Sequence, residues 1–239
     1  MENKCHDDTS EHLNYSNKVV FKVEKSLITT GIYTSIILSI LEFIAYFGFF
    51  NNIDNFFSRY GYYLIFLVIS VVINAMAVYH IKAYQHTFGH MTGMMIGMTI
   101  GMTTGFSIGL VVGATNGLFI GSSVGLILGM IVGGYVGNCC GTMGIMEGIM
   151  AGLMGGLMGA MTSVMALNDN LKLFILILIL SILIILFGLI IMVYQEEVRT
   201  KGVIHYNGFK FLPFITINFI ITLGITFLMV YGPKSLLFG

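Results

Sequence analysis

The chain reads as an all-α, polytopic integral membrane bundle of about seven helices, and three observations predict it. Of its 239 residues, 56% are hydrophobic and only 9% charged, and the mean hydropathy is strongly positive. A soluble core of that size cannot hide so much apolar surface. Apolar runs separated by short polar clusters also match a hydrocarbon layer about 30 Å thick, crossed by a helix rising about 1.5 Å per residue. Finally, glycine recurs at every fourth place from Gly89 to Gly141 and again from Gly144 to Gly156, a period that belongs to helices and not to strands.

Residues 1–26 are polar and mixed in charge, and no small-x-small site closes the apolar run that follows. This segment is expected to be a retained cytoplasmic tail and not a signal peptide. Two transmembrane helices follow within 27–85, over about 27–50 and 61–83. Two more occupy 166–239, over about 171–194 and 212–232, with a cytoplasmic loop between them.

The Gly/Met-rich stretch 86–165 is harder to divide, because Gly, Thr and Ser dilute its hydropathy. Its length accommodates two over-long spans or three ordinary ones. The segments ATNG (114–117) and NCCGT (138–142) stand where two tight turns would make three.

Charge placement checks the count, since short loops rich in Lys and Arg stay cytoplasmic. Seven spans with the N-terminus inside put Lys4, Lys18, Lys22, Lys25, Lys82, Arg199, Lys201 and Lys210 on the inner side. Only Arg59, Lys172 and Lys234 fall outside. Two spans in the middle would export the Arg199–Lys210 loop and weaken that bias. The same topology gathers His6, His12, His80, His86, His90, His205, Cys5, Cys139 and Cys140 at the cytoplasmic face or its membrane edge. A multi-pass protein of the plasma membrane is the expected localisation.

Glycine costs about 1 kcal/mol per residue against alanine in a water-exposed helix. In lipid there is little hydrophobic force between helices, and small-xxx-small rows let backbones approach closely enough for van der Waals contact to hold them. Gly93, Gly97, Gly101, Gly105, Gly121, Gly125, Gly129, Gly148 and Gly152 are therefore the expected packing positions of a glycine zipper. Spans three to five should form its tight centre, with the Ile/Leu-rich spans six and seven as a lipid-facing wall.

Thirteen of the seventeen methionines lie between Met91 and Met165. On span three, His86, His90, Met94, Met98 and Met102 follow one another at four-residue spacing and so share a face. On span five, Met143, Met146, Met150 and Met154 begin a row that continues through Met165. The two spans run in the same direction, so two thioether ladders are expected side by side. Thioether and thiolate donors are soft and select Cu(I), and imidazole suits copper and zinc. Cys139 and Cys140 would supply thiolates at the cytoplasmic end, where a metal donor or acceptor would meet the chain. The competing reading is packing: methionine is a flexible gap filler, and glycine leaves gaps. On span five the Met146–Met158 row lies about 200° from the Gly144–Gly156 row, nearly opposite it.

MMIGM (94–98), MTIGM (98–102) and the many GxxxG segments are similar to motifs of trimeric three-span copper importers. The likeness covers a few residues, this chain has more than twice the spans, and no family is assigned on it.

Glu42 in span one and Glu147 near the cytoplasmic end of span five are intramembrane ionisable groups, which by default mark function. Asn74 stands at a comparable depth in span two. The formal net charge is zero and no basic run is interleaved with aromatics, so no nucleic-acid partner is expected. No nucleophile–base pairing, phosphate loop or HExxH occurs, and an enzyme is not expected. Two function classes follow. One is an integral membrane protein handling or transporting a soft metal ion, Cu(I) foremost, along Met-lined helices. The other is a glycine-zipper scaffold or homo-oligomerising membrane component with no transport activity.

Overall fold

The computed structural model describes residues 29, 31–44, 56–83, 90–138, 141–166, 170–200 and 211–232. Among them the regular structure is helical throughout: α1 (Gly31–Ile44), α2 (Phe56–Ala83), α3 (His90–Asn116), α4 (Leu118–Gly137), α5 (Gly141–Met165), α6 (Leu171–Thr200) and α7 (Phe211–Tyr231). Helices α2 to α7 are each long and apolar enough to cross a membrane. In hydrocarbon every backbone N–H and C=O must be satisfied within the segment, so even glycine-rich stretches are driven into helix. The described part of the first apolar run is shorter, and residues 45–50 of that run lie outside the described residues.

The middle region divides into three helices at the two turns its sequence marks. α3 stops at Asn116, and Gly117 takes φ 89°, a left-handed value that suits glycine, before α4 starts at Leu118. The Asn116 side chain ties this corner down. Its Nδ2 donates to the Leu228 carbonyl of α7 at 3.2 Å, and its Oδ1 accepts from Thr115 at 2.8 Å. At the other turn Gly141, with φ 77°, opens α5.

Glycines from α3, α4 and α5 meet in layers. Gly97, Gly137 and Gly144 form one, followed by Gly101, Gly133 and Gly148, then Gly105, Gly129 and Gly152, then Gly109, Gly125 and Gly156. Gly113 and Gly121 close the stack with Ala160. A Cβ on Gly105 would stand 2.7 Å from the Gly152 oxygen, and one on Gly129 2.9 Å from the Gly105 Cα. Backbone thus touches backbone, and no side chain fits between. Layers recur every four residues, about 6 Å along each axis. The change of glycine phase between Gly141 and Gly144 has its cause here: after the turn, Gly144 comes level with Gly137 and Gly97.

α3 is the central helix. Its glycine side meets α4 and α5, while its other side buries Ile96, Ile100, Ile108, Val111 and Val112 against α2, α6 and α7. Spans six and seven are therefore a wall on one flank only, packing on α2 and α3. α5 packs mainly on α3 and α4, and its remaining face is left open.

Candidate functional site

The methionines of α5 occupy that open face. Met143, Met146, Met150 and Met154 are each 59–68% exposed, and Met158, Met161 and Met165 continue the row outward. Buried positions of the same helix are Gly144, Gly148, Ala151, Gly152, Gly155, Gly156, Gly159, Ala160 and Ser163. Small residues thus fill one side and methionines the other, as the spacing of the two rows requires. Here methionine is not filling the gaps that glycine leaves.

On α3 the row bends around the seam with α5. Met94 is half-buried, Met98 and Met102 are 46% and 41% exposed, and Met91 and Met95 are exposed beside them. The backbone of Met102 packs directly on Gly155, the residue after Met154. Gly101 meets Gly148 and Gly152, which brings Met98 to the depth of the Met150–Met154 stretch. The two thioether rows therefore share one outward surface along parallel helices. His90 opens α3, and His86, Cys139 and Cys140 lie outside the described residues.

Glu147 is half-buried, between Met146 and Gly148. Among the described residues no three His, Cys, Asp or Glu side chains gather into a metal-binding set. The soft donors on the outward rows of α3 and α5 are thioether sulfurs. Such donors fit Cu(I) and not hard cations, which take oxygen. The nine packing glycines from Gly93 to Gly152 are all buried.

A second polar region lies on the opposite side of α3. Asn74 of α2, buried, donates through Nδ2 to the Ser70 carbonyl at 2.8 Å and to Ser107 Oγ at 3.0 Å. Its Oδ1 accepts from Thr104 at 3.2 Å. Both amide protons and one of the two lone-pair positions on Oδ1 are used, so Asn74 acts as a clamp between α2 and α3. His80, which the topology puts at the membrane edge, is buried within the bundle.

Glu42 lies beside the hydroxyls of Thr222 and Thr226 on α7. These partners, with Asn218, form a stripe at four-residue spacing. That pattern is visible in the sequence, but the search for ionisable groups alone passes over it.

No protein-family model, curated protein or solved structure matches the chain.

Proposed function

We propose that the chain binds and moves a soft metal ion, Cu(I) foremost, along the methionine surface shared by α3 and α5. One observation carries this reading: the α5 methionines turn away from the glycine contacts and stand exposed across the full helix. The other outward faces are built differently, from Ile, Leu and Phe on α6 and α7. Thioethers about 6 Å apart along each helix would let an ion pass between neighbouring soft donors. Cys139, Cys140, His86 and His90 would exchange it with a donor or acceptor at the cytoplasmic end.

An ion cannot travel on a face open to lipid, so this reading includes a homo-oligomer in which a second copy covers α5. Glu147 agrees with such cover, because an ionisable residue within a span ordinarily faces protein or water. The excess of Lys and Arg in alternate loops supports an inner N-terminus, and a plasma-membrane location belongs to the same reading.

A glycine-zipper scaffold without transport activity is the second reading. The layered glycine contacts of α3, α4 and α5 favour it, since they alone account for a rigid membrane unit. Copper content of the purified protein separates the two. Replacing Cys139 and Cys140 by Ser should weaken metal loading under the first reading and leave copper content unchanged under the second.

A further inference from the structure

The methionine surface makes no use of Glu42, an acidic side chain set into an apolar helix on the far side of the bundle. Leu38, one turn earlier on α1, is fully buried against Val68 and Val72 of α2 and Phe219 of α7. That contact sets the level of Glu42 alongside α2 and α7. Its carboxyl points to Thr222 and Thr226 of α7, and its Oε1 atom is buried with no hydrogen-bond partner among the described residues.

Each threonine hydroxyl has a backbone carbonyl of α7 to donate to: Thr222 Oγ1 reaches the Asn218 carbonyl at 3.0 Å, and Thr226 Oγ1 the Thr222 carbonyl at 2.8 Å. A hydroxyl has one proton and two lone pairs, so while it donates to that carbonyl what it offers Glu42 is acceptor capacity. A carboxylate cannot donate. The arrangement therefore suits a carboxylic acid, whose own O–H supplies the missing donor.

Across the contact, α7 presents Asn218, Thr222 and Thr226, and its titratable residue among those described is Tyr231, near the helix end. On α2, antiparallel to α1, Arg59, Tyr60, Tyr62 and Tyr63 lie toward the Glu42 end, and Tyr79, His80 and Lys82 toward the other. Arg59, the cation at the Glu42 end, stands in the first turns of α2, nine residues before Val68 of the Leu38 contact. One carboxyl and two hydroxyls also fall short of the six or more oxygens that a hard cation collects.

We propose that Glu42, with the hydroxyls of Thr222 and Thr226, forms a proton-binding site inside the membrane at the contact of α1 and α7. Release of the proton would require a threonine hydroxyl to turn from its backbone carbonyl to the carboxylate, so proton occupancy is coupled to the α7 hydrogen bonds. The site is independent of metal handling and would stand if that reading failed.

Infrared spectroscopy of the full chain in lipid tests it. At neutral pH the wild type should show a protonated-carboxyl C=O band that Glu42→Gln removes and that shifts in D2O. In parallel, dicyclohexylcarbodiimide, which attacks protonated carboxyls in apolar surroundings, should label the Glu42 peptide of the wild-type protein, and a water-soluble carbodiimide should not. This labelling needs no variant, so poor folding of Glu42→Gln leaves the test intact. Absence of the label on Glu42 overturns the proposal. Protection of Glu42 by sodium ions also overturns it, by showing a cation site instead.

Discussion

Gly101 of α3 lies so close to Gly148 of α5 that a methyl group on Gly101 would stand 2.6 Å from the Gly148 carbonyl oxygen. Carbonyl oxygens of a helix cannot swing aside as a flexible side chain can. Gly101→Ala and Gly152→Ala should each lower stability by about 1–3 kcal/mol or more, the usual cost of overpacking. Gly188→Ala and Gly224→Ala, where nothing lies within 4 Å, should be neutral. Thermal midpoints in detergent compare the four; equal tolerance would show that the glycine layers are not contacts.

The corner glycines should fail for a different reason. A Cβ on Gly141 would meet nothing within 4 Å, yet its φ is 77°. Gly141→Ala should cost about 1–2 kcal/mol from the left-handed backbone alone. Gly141→Asn should recover part of that, since asparagine tolerates the region. The same thermal measurement checks the order Gly, Asn, Ala.

Asn74 joins α2 to α3 through Ser107 and Thr104. Asn74→Leu should remove both links and take from the Thr104 hydroxyl the acceptor it donates to, while Ser107 keeps its bond to the Thr104 carbonyl, at a cost of about 1–2 kcal/mol, as for other interhelical bonds in membranes. Ser181→Ala on the exposed face of α6, whose hydroxyl bonds only its own helix at Ile177, should change little. Unfolding in a denaturing detergent series measures both.

Particular residues explain what was legible before the fold was known. Asn116–Gly117 and the turn before Gly141 could be placed because turn residues interrupt an otherwise unbroken four-residue glycine period. The meeting of Gly101 with Gly133 and Gly148 was legible in kind, since only close backbone approach repays so many glycines. The centrality of α3 was not. Ile100 and Leu176 are both large aliphatics on nearly uniform apolar helices, yet Ile100 is fully buried and Leu176 is 51% exposed. A helix that is apolar all round carries no pattern to say which face meets lipid. The partners of Asn74 and Glu42 were hidden similarly, because Ser107, Thr222 and Thr226 are remote in sequence and become neighbours only when the helices pack.

Orientation is open to direct labelling. Single cysteines introduced by Asp54→Cys and Asp169→Cys, each in a background with Cys5, Cys139 and Cys140 changed to Ser, should react with an impermeant thiol reagent added outside the cell. One introduced by Gly202→Cys should stay unreactive. Labelling of the last would contradict the inner placement of the Arg199–Lys210 loop.

The copper content of the intact protein tests the central claim most directly. Met94, Met98 and Met102 changed together to Leu, and separately Met143, Met146, Met150 and Met154 changed to Leu, should keep the fold, because such swaps usually cost under about 1.5 kcal/mol each and the glycine layers are made by backbone and not by these side chains. After loading with Cu(I) under reducing conditions, the wild type should retain copper through purification and each variant should lose most of it. A control with Met192 and Met229, on α6 and α7, changed to Leu should match the wild type. Equal copper in the wild type and both multiple variants, with all of them folded, would contradict metal handling on the α3–α5 surface and leave the glycine-packed scaffold.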